Sequence, residues 1–218
     1  MDRRTQESLK MFVLVDCNLG NLRNVQKAFE KIGEKAIISS NVNDIKKAKG
    51  LILPGVGAFP EAMRNIHSLG LFDVLRDQVL NKKKPILGIC LGMQLFGREG
   101  YENERCEGLN FLPMVIKKLE VNINEYRLPH IGWNNITVKK SLPLFESLPD
   151  DPDFYFVHSY HPICEDNNII SATCNYGQTF VVAVQNKNIF GVQFHPEKSQ
   201  EYGLKILKNF VKYVKSGG

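Results

Sequence analysis

The sequence predicts an α/β fold in which a mainly parallel central sheet is flanked by helices. Short, continuously apolar segments recur in the first half, with segments of helical apolar spacing between them. Strands buried on both faces have this continuous pattern, whereas strands with one face in water alternate. The second half contains more strand-like segments than helical ones. We therefore expect extra antiparallel strands to extend the sheet there.

The first half of the chain alternates predicted strands with predicted helices. MFVLVD (Met11–Asp16) is a short apolar run, and the apolar residues after it repeat at helical spacing until Gly33 ends the helix. Further strands are predicted at Ala36–Ile38, Gly50–Leu53 and Pro85–Ile89. Further helices are predicted at Glu61–His67, Phe72–Lys83 and Leu91–Phe96. The predicted order is therefore β-α-β-β-α-β-α, which is typical of a parallel sheet covered on both faces.

The second half is richer in predicted strands and ends in a helix. The strands are predicted at Met114–Leu119, Ile136–Val138, Phe154–His158, Ile169–Cys174, Phe180–Gln185 and Ile189–Phe194. The closing helix, Glu201–Lys215, has its apolar residues on one face. No linker or repeat divides the chain. We expect residues 11–218 to form a single domain, after a polar extension at 1–10 that need not be ordered.

Composition argues against several functional classes. No apolar run approaches the roughly 20 residues that span a membrane, and the polar start MDRRTQESLK lacks the apolar core of a signal peptide. Five cysteines with no C-x-x-C spacing predict neither a disulfide framework nor a zinc site, and a cytoplasmic location is expected. No metal or other cofactor is expected. The net charge of +5 comes from scattered basic doublets, so nucleic-acid binding is not expected either.

A candidate nucleophile lies in Gly88-Ile89-Cys90-Leu91-Gly92, between a predicted strand and a predicted helix. A glycine on each side of a central nucleophile is typical of a nucleophile elbow, a tight turn that raises the side chain above the sheet edge. The helix N-terminus stabilises the reactive thiolate, and the Leu91 amide is a candidate donor to an oxyanion. A buried, inert cysteine at a glycine-rich strand end would give the same local sequence.

His195 is the best candidate base, because it ends an apolar strand and is followed by Pro196 and Glu197. A carboxylate two residues away can orient the imidazole and stabilise its charged form, which is the third role in a catalytic triad. The alternative interpretation is that His-Pro-Glu at this strand end is an ordinary loop with no catalytic role. After the strand GLIL, the segment Pro54–Ala58 is rich in glycine, and the amides of this loop are candidates for the second donor to the oxyanion.

Five segments together resemble the class I (triad) glutamine amidotransferases, and most closely the glutaminase subunits of imidazole glycerol phosphate synthases. The segments are LPGVGAF (Leu53–Phe59), GICLGMQL (Gly88–Leu95), PHIGWN (Pro129–Asn134), YFVHSYH (Tyr155–His161) and GVQFHPEKS (Gly191–Ser199). The resemblance implies that Cys90 attacks the side-chain amide of glutamine, with His195 as acid and base and Glu197 as its partner. It also implies an oxyanion hole at Val56, Gly57 and Leu91. The implied glutamine-binding residues are Gly55, Gln94, His158, Ser159 and Tyr160.

The resemblance also implies a partner. Ammonia must reach an acceptor without being protonated by water, so the acceptor site is expected on a (β/α)8 barrel cyclase that forms a heterodimer with this chain. That cyclase makes imidazole glycerol phosphate and aminoimidazole carboxamide ribotide in histidine biosynthesis. Trp133, in the PHIGWN segment taken as a loop, and Asn18 are the expected interface residues. A tryptophan buried in the core is the alternative for Trp133.

Three other functions fit parts of the sequence. His161 follows HSY where the histidine-pathway subunits more often carry tyrosine, and this departure resembles paralogues that feed ammonia to an amidotransferase of surface-sugar biosynthesis. A non-catalytic scaffold subunit would have no chemical need for the intact set Cys90, His195 and Glu197. A cysteine peptidase or other hydrolase on a related fold is the third, although the VHSYH and PGVG segments favour glutamine.

Overall fold

The structure is a computed structural model that describes residues 11–141 and 143–217, so the predicted extension at 1–10 lies outside it. Within these ranges, nine strands form one sheet and four strands form another. The elements of the first half are β1 (Phe12–Val15), α1 (Leu22–Lys31), β2 (Ala36–Ser39), α2 (Val42–Lys47), β3 (Gly50–Gly55), α3 (Phe59–Ser68), α4 (Phe72–Arg76), β4 (Ile86–Cys90) and α5 (Leu91–Gln94). A π-helical segment, Asp77–Asn81, continues α4.

The second half consists mainly of strands. They are β5 (Glu99–Gly100), β6 (Cys106–Glu107), β7 (Met114–Lys118), β8 (His130–Val138), β9 (Asp153–His158), β10 (Tyr160–Cys164), β11 (Ile170–Tyr176), β12 (Gln178–Asn186) and β13 (Ile189–Val192). Two 3₁₀ turns lie at Asn167–Ile169 and Pro196–Lys198. The final helix is α6 (Gln200–Lys215).

The large sheet has the strand order β2-β1-β3-β4-β13-β12-β11-β8-β9. The first five of these strands are parallel, and every pairing from β13 to β9 is antiparallel. The predicted combination of a parallel sheet with antiparallel strands from the second half is therefore confirmed. The small sheet, in the order β10-β7-β5-β6, lies beside it.

Both faces of the parallel strands are buried, which explains their continuous apolar pattern. Phe12 and Leu14 of β1 point into one core cluster, which also contains Phe29 of α1 and Phe210 of α6. Val13 and Val15 point into a second cluster, on the side of α3 and α4. Alternate residues of one strand thus serve two cores, as expected for a sheet covered by helices on both faces.

The structure corrects the predicted elements at three places. A helix that was not predicted, α2, separates β2 from β3; it has six residues with only Ile45 buried, too few for an apolar repeat, although Asn41 caps it through the Asn43 amide. PHIGWN is not a loop, because residues from His130 onwards belong to β8 and pair with β9. The strands β5, β6 and β10 of the small sheet were also not predicted, and β10 pairs with β7 there.

We predict that Gly203→Ala destabilises the protein although alanine is the better helix former. A Cβ at Gly203 would lie 1.9 Å from the Pro196 carbonyl oxygen, so α6 packs directly on the Pro196–Lys198 turn. Helix propensity favours alanine by about 1 kcal/mol, but forced overpacking costs about 1–3 kcal/mol. Because the contact is with backbone atoms, the cost lies at the upper end of that range, and we expect a net loss of about 2 kcal/mol in a urea titration. Lys208→Ala, on the exposed face of α6, is the control, and a Gly203→Ala protein as stable as the parent would contradict the packing argument.

Candidate active site

The carboxyl ends of the parallel strands meet at one edge of the sheet, and the predicted catalytic segments follow them there. Cys90 ends β4 opposite Gly55 of β3, and β13 pairs with β4 on its other side up to Val192. Open α/β sheets bind their ligands at this edge. A cavity of about 250 Å³ lies here, lined by Val56, Gly57, Cys90, Leu91, Gln94, Glu102, Pro129, Val157, His158, Ser159 and Tyr160.

Cys90 occupies a strained turn that its neighbouring glycines make accessible. Its backbone has φ 55° and ψ −113°, a conformation that L-residues rarely adopt. A Cβ at Gly92 would lie 1.7 Å from the Leu53 carbonyl oxygen, and a Cβ at Gly88 would lie 2.7 Å from the Met93 backbone. Larger residues at these two positions would push the turn off β3 and α5. The predicted nucleophile elbow is present, with the Cys90 side chain at the cavity wall.

His195 and Glu197 form a buried ion pair behind the cavity. His195 Nδ1 lies 2.7 Å from Glu197 Oε1, and both side chains are fully buried. The His195 backbone is held on β9 and α6, because its amide donates to the Tyr155 carbonyl at 2.9 Å and its carbonyl accepts from Ser199 Oγ at 2.7 Å. The two backbone hydrogen bonds and the Glu197 carboxylate therefore orient the His195 ring.

The pKa of His195 results from opposing effects. Burial lowers it, but interactions with the Cys90 sulfur and the Glu197 carboxylate outweigh burial and raise the pKa from 6.5 to about 10. His195 Nε2 is buried and makes no hydrogen bond with any residue that the structure describes. Because Nδ1 faces Glu197, Nε2 is the nitrogen available to exchange a proton with the thiol or with a substrate.

Gln193, which no sequence pattern singled out, contacts both Cys90 and Gln94. Its Nε2 donates to Cys90 Sγ at 3.6 Å, and its Oε1 accepts from Gln94 Nε2 at 3.1 Å. Gln94 also donates to the Tyr160 carbonyl at 2.9 Å. Gln94 is therefore not the surface residue of the alternative interpretation, and its carbonyl oxygen is the group left for a ligand in the cavity. The position of Gln193 in the GVQFHPEKS segment was the only available signal.

A pair of buried histidines supports the cavity wall. His158 Nδ1 lies 3.0 Å from the Tyr160 carbonyl, so this nitrogen carries a proton and donates. In the neutral ring Nε2 then accepts, and it lies 3.1 Å from His130 Nδ1. The ring of His130 stacks on Tyr176 at 4.0 Å between centroids. His158 is 6% exposed, so it supports the cavity from beneath while Ser159 and Tyr160 also line it.

The glycine-rich segment after β3 does not present a complete oxyanion hole in this conformation. The Val56 amide donates to the Leu19 carbonyl at 3.0 Å, so the structure does not show Val56 as an oxyanion donor. Gly57 has φ +117°, which favours glycine. The Leu91 amide, at the first position of α5, has no partner within the helix, and Leu91 lines the same cavity. The predicted donors thus line the site, but the Val56 amide is engaged elsewhere.

The two predicted interface residues are both on the surface. Trp133 is 45% exposed on β8, so it is not the core tryptophan of the alternative interpretation, and Ile131 beside it on the same face is 59% exposed. Asn18 is exposed in the turn after β1. Cys17, which precedes Asn18 in the chain, is 1% exposed.

Two further polar residues reach the site without a clear local sequence signal. Glu102 lines the cavity and accepts from the Phe59 amide at 2.8 Å. Asn21 Nδ2 donates to Glu197 Oε1 at 2.5 Å across 176 positions of sequence. Within residues 11–141 and 143–217 there is no group of three or more metal-ligating side chains, and no helix is long and apolar enough to cross a membrane.

Known proteins resemble this chain in sequence and in fold. The family model "Glutamine amidotransferase class-I" matches residues 13–214. Imidazole glycerol phosphate synthase subunit HisH 1 of Campylobacter jejuni (strain RM1221) is 50% identical over 202 residues, which cover 93% of this chain and 100% of the relative. Subunit HisH of Moorella thermoacetica is 40% identical over 210 residues, covering 96% of this chain and 98% of the relative.

Solved structures share the fold at much lower identity. A putative GMP synthase subunit from Thermoplasma acidophilum superposes with a TM-score of 0.72 at 21% identity, over 95% of this chain and 94% of that one. PurLQS from Thermotoga maritima superposes with a TM-score of 0.69 at 16% identity, over 94% and 98%. At these identities the two structures support the fold alone.

We predict that the protein loses stability in mild acid through its buried histidines. Burial lowers the pKa values of His130, His158 and His161 from 6.5 to about 4, 3 and 4. The unfolded chain therefore binds more protons between about pH 6.5 and 4, and the free energy of unfolding falls as the pH is lowered through that range. Urea titrations at pH 7 and pH 5 should differ by roughly 1–2 kcal/mol for each such histidine.

The contribution of one histidine can be isolated by substitution. His161→Asn should reduce the difference between the two pH values, since His161 Nδ1 is buried without a hydrogen bond. His67→Asn, at an exposed position of α3, is the matched control and should leave the difference unchanged. If the difference in the free energy of unfolding between pH 7 and pH 5 changes equally in both variants, the buried histidines do not cause the acid sensitivity.

Proposed function

The chain belongs to the class I glutamine amidotransferases, and from this we propose that it hydrolyses glutamine to glutamate and ammonia as the glutaminase subunit of an imidazole glycerol phosphate synthase. Its relatives with that name are 40–50% identical over more than nine-tenths of the chain. The observation that carries the chemistry is the convergence of a strained cysteine, a buried histidine and a buried carboxylate at one sheet edge.

Cys90 is proposed as the nucleophile. Its sulfur attacks the carbonyl carbon of the glutamine side-chain amide while His195 holds the thiol proton at Nε2. The tetrahedral intermediate collapses when the C–N bond breaks, the proton passes from His195 to the departing nitrogen, and ammonia leaves behind a γ-glutamyl thioester. Water then gives a proton to His195 and attacks the thioester, which releases glutamate and restores the thiol.

Glu197 orients and electrostatically supports His195 in this scheme. The raised pKa of His195 favours the protonated ring that must accompany the Cys90 thiolate and then donate to the leaving nitrogen. Because both side chains are fully buried, their mutual attraction is not screened by water. The short strand-to-turn segment His195–Glu197 therefore supplies both the base and its partner.

The cavity supports glutamine as the substrate. Its polar wall includes the Gln94 carbonyl oxygen and the Glu102 carboxylate, which are suited to an α-ammonium group. Backbone groups of Ser159 and Tyr160, which line the cavity, and of Gly55, which pairs with Cys90, are proposed to position the rest of the amino acid. His158 is proposed to act indirectly, since its proton is committed to the Tyr160 carbonyl.

We propose that the oxyanion hole is completed by a rearrangement after β3. The Leu91 amide is one donor in the observed conformation. The Val56 amide becomes a second donor when it leaves the Leu19 carbonyl and turns toward Cys90, and glycines on both sides of Val56 permit the movement. A site that alternates between these two states has low activity until a ligand or partner favours the second state.

A (β/α)8 barrel cyclase is the proposed partner in a cytoplasmic heterodimer. Val56, Ile131 and Trp133 are exposed apolar side chains, and Val56 lines the cavity itself. An apolar surface around the cavity mouth is suited to a docked protein that receives ammonia before water protonates it. Trp133 and Asn18 are the proposed contacts. The alternative acceptor, an amino-sugar amidotransferase, is favoured chiefly by His161 and becomes an outcome of the partner experiment below.

We predict that Cys90→Ala abolishes glutamate formation while the protein stays folded. Removal of a nucleophile that forms a covalent intermediate should lower turnover by at least about 1000-fold. Glutamate release is measured by a coupled assay, with thermal unfolding as the test of folding. Cys106→Ala, at a half-buried cysteine outside the cavity, should retain activity. Residual activity near that of the parent in Cys90→Ala would exclude this mechanism.

We predict that the isolated chain hydrolyses glutamine slowly and that the barrel cyclase from the same organism, with its ribotide substrate, stimulates it strongly. The reason is the engaged Val56 amide, which leaves the oxyanion hole incomplete. Glutamate release is compared for the chain alone, with cyclase, and with cyclase plus ribotide. If glutamate release stays slow and the cyclase does not increase it, the ammonia acceptor is instead assigned to the amino-sugar pathway. Full turnover by the chain alone would contradict the proposed rearrangement.

A further inference from the structure

Asn21 is the one side chain from outside the Cys90, His195 and Glu197 set that donates a hydrogen bond to Glu197 among the described residues. Its Nδ2 lies 2.5 Å from Glu197 Oε1, the same oxygen that His195 Nδ1 contacts at 2.7 Å. The other oxygen, Oε2, is buried and without a partner in the described part of the chain. The hydrogen bonds of this carboxylate therefore converge on one oxygen, and one of the two comes from Asn21.

The backbone at Asn21 places the amide at this point. Asn21 lies at the start of α1 with φ 63° and ψ 0°, the left-handed conformation that asparagine tolerates better than most residues. It makes no side-chain capping bond to the helix it begins. Its own Oδ1 accepts from Asn24 Nδ2 at 2.9 Å, which fixes the orientation of the amide and turns Nδ2 toward Glu197. The side chain thus contacts the carboxylate instead of performing the local role usual at this position.

Three lysines line a second cavity that residue Glu197 also borders. A cavity of about 320 Å³ is lined by Glu197 together with Lys27, Lys31 and Lys198. All three lysines are exposed, and none forms an ion pair with Glu197 in the part of the chain that the structure describes. A buried carboxylate gains free energy by moving toward ammonium groups and water unless hydrogen bonds hold it in place. Because the Glu197 side chain is fully buried, its carboxylate would reach these lysines and the solvent only by turning away from His195.

We propose that Asn21 is a positioning residue that holds the Glu197 carboxylate on His195 and prevents it from turning toward Lys27, Lys31 and Lys198. Asn21 does not line the cavity assigned to glutamine, so it acts only through Glu197. The inference rests on the proposed glutaminase function, but the hydrogen-bonded series from Asn24 through Asn21 and Glu197 to His195 can be tested without substrate.

The first test is the pKa of His195 in the whole chain without substrate, followed by NMR of ¹³C-labelled histidine and assigned with His195→Asn. Asn21→Gly removes the amide and keeps the left-handed backbone accessible. We expect the pKa of His195 to fall from about 10 toward the value in Glu197→Gln, where the carboxylate charge is absent. Asn18→Gly is the matched control for this measurement, since Asn18 is in the same turn with φ 58°. The backbone amide of Asn18 donates to Asp16 and not to Glu197.

Two results would overturn the proposal. An unchanged pKa of His195 in Asn21→Gly would show that the carboxylate stays in place without the amide. A higher pKa would show that Asn21 competes with His195 for Oε1 instead of holding it there. If Asn21→Gly does not fold, Asn21→Ala replaces it, because it also removes the amide and should lower the pKa of His195 in the same way.

The second test is kinetic and uses the complex with the cyclase and ribotide. Asn21→Gly should lower kcat for glutamate release by about 10-fold with little change in KM, as expected for a group that supports a catalytic residue. A higher KM with an unchanged kcat would assign Asn21 to substrate binding and overturn the positioning role. Addition of Lys198→Ala to Asn21→Gly should recover part of the loss. If the parent protein releases no glutamate, the proposed function fails while the NMR test still decides the role of Asn21.

Discussion

Parallel pairing of β4 with β3 on one side and with β13 on the other determines where the proposed catalytic segments of this protein lie. Strands that run in the same direction end at the same edge, so Cys90, the segment after Gly55 and the segment after Val192 meet although they are far apart in sequence. Continuous apolar strands make this pairing stable, because each parallel strand is buried between two layers of helices. The catalytic geometry is thus a consequence of a packing requirement.

Burial of polar groups gives the site its electrostatic character. His195 and its carboxylate are removed from water together, and the attraction between them outweighs the cost of charging a buried ring. The nearby His158 has no carboxylate partner among the described residues, and burial keeps its pKa low. Two histidines in one neighbourhood therefore have opposite protonation behaviour, because only one of them faces a negative charge.

The turn between β1 and α1 connects two parts of the site. Its Leu19 carbonyl holds the Val56 amide, and its Asn21 side chain holds the Glu197 carboxylate. Asn18, Gly20 and Asn21 all have positive φ, so this turn adopts a conformation that depends on glycine and asparagine. Because the turn is exposed at Asn18 and contacts both the oxyanion segment and the triad carboxylate, a protein bound at this edge is able to influence both parts of the site.

Local sequence was enough to predict the order and type of most elements, the nucleophile elbow, and the pairing of His195 with Glu197. These features depend on residues only a few positions apart: apolar runs, glycines at fixed offsets, and two residues on one turn. Short elements such as α2 and β10 carried too few buried residues to produce a pattern. Three contacts emerged only from the folded chain: Gln193 on Cys90, Asn21 on Glu197, and the Val56 amide on Leu19. Each of them joins segments distant in sequence, and its geometry depends on how strands and turns pack, which no local pattern encodes.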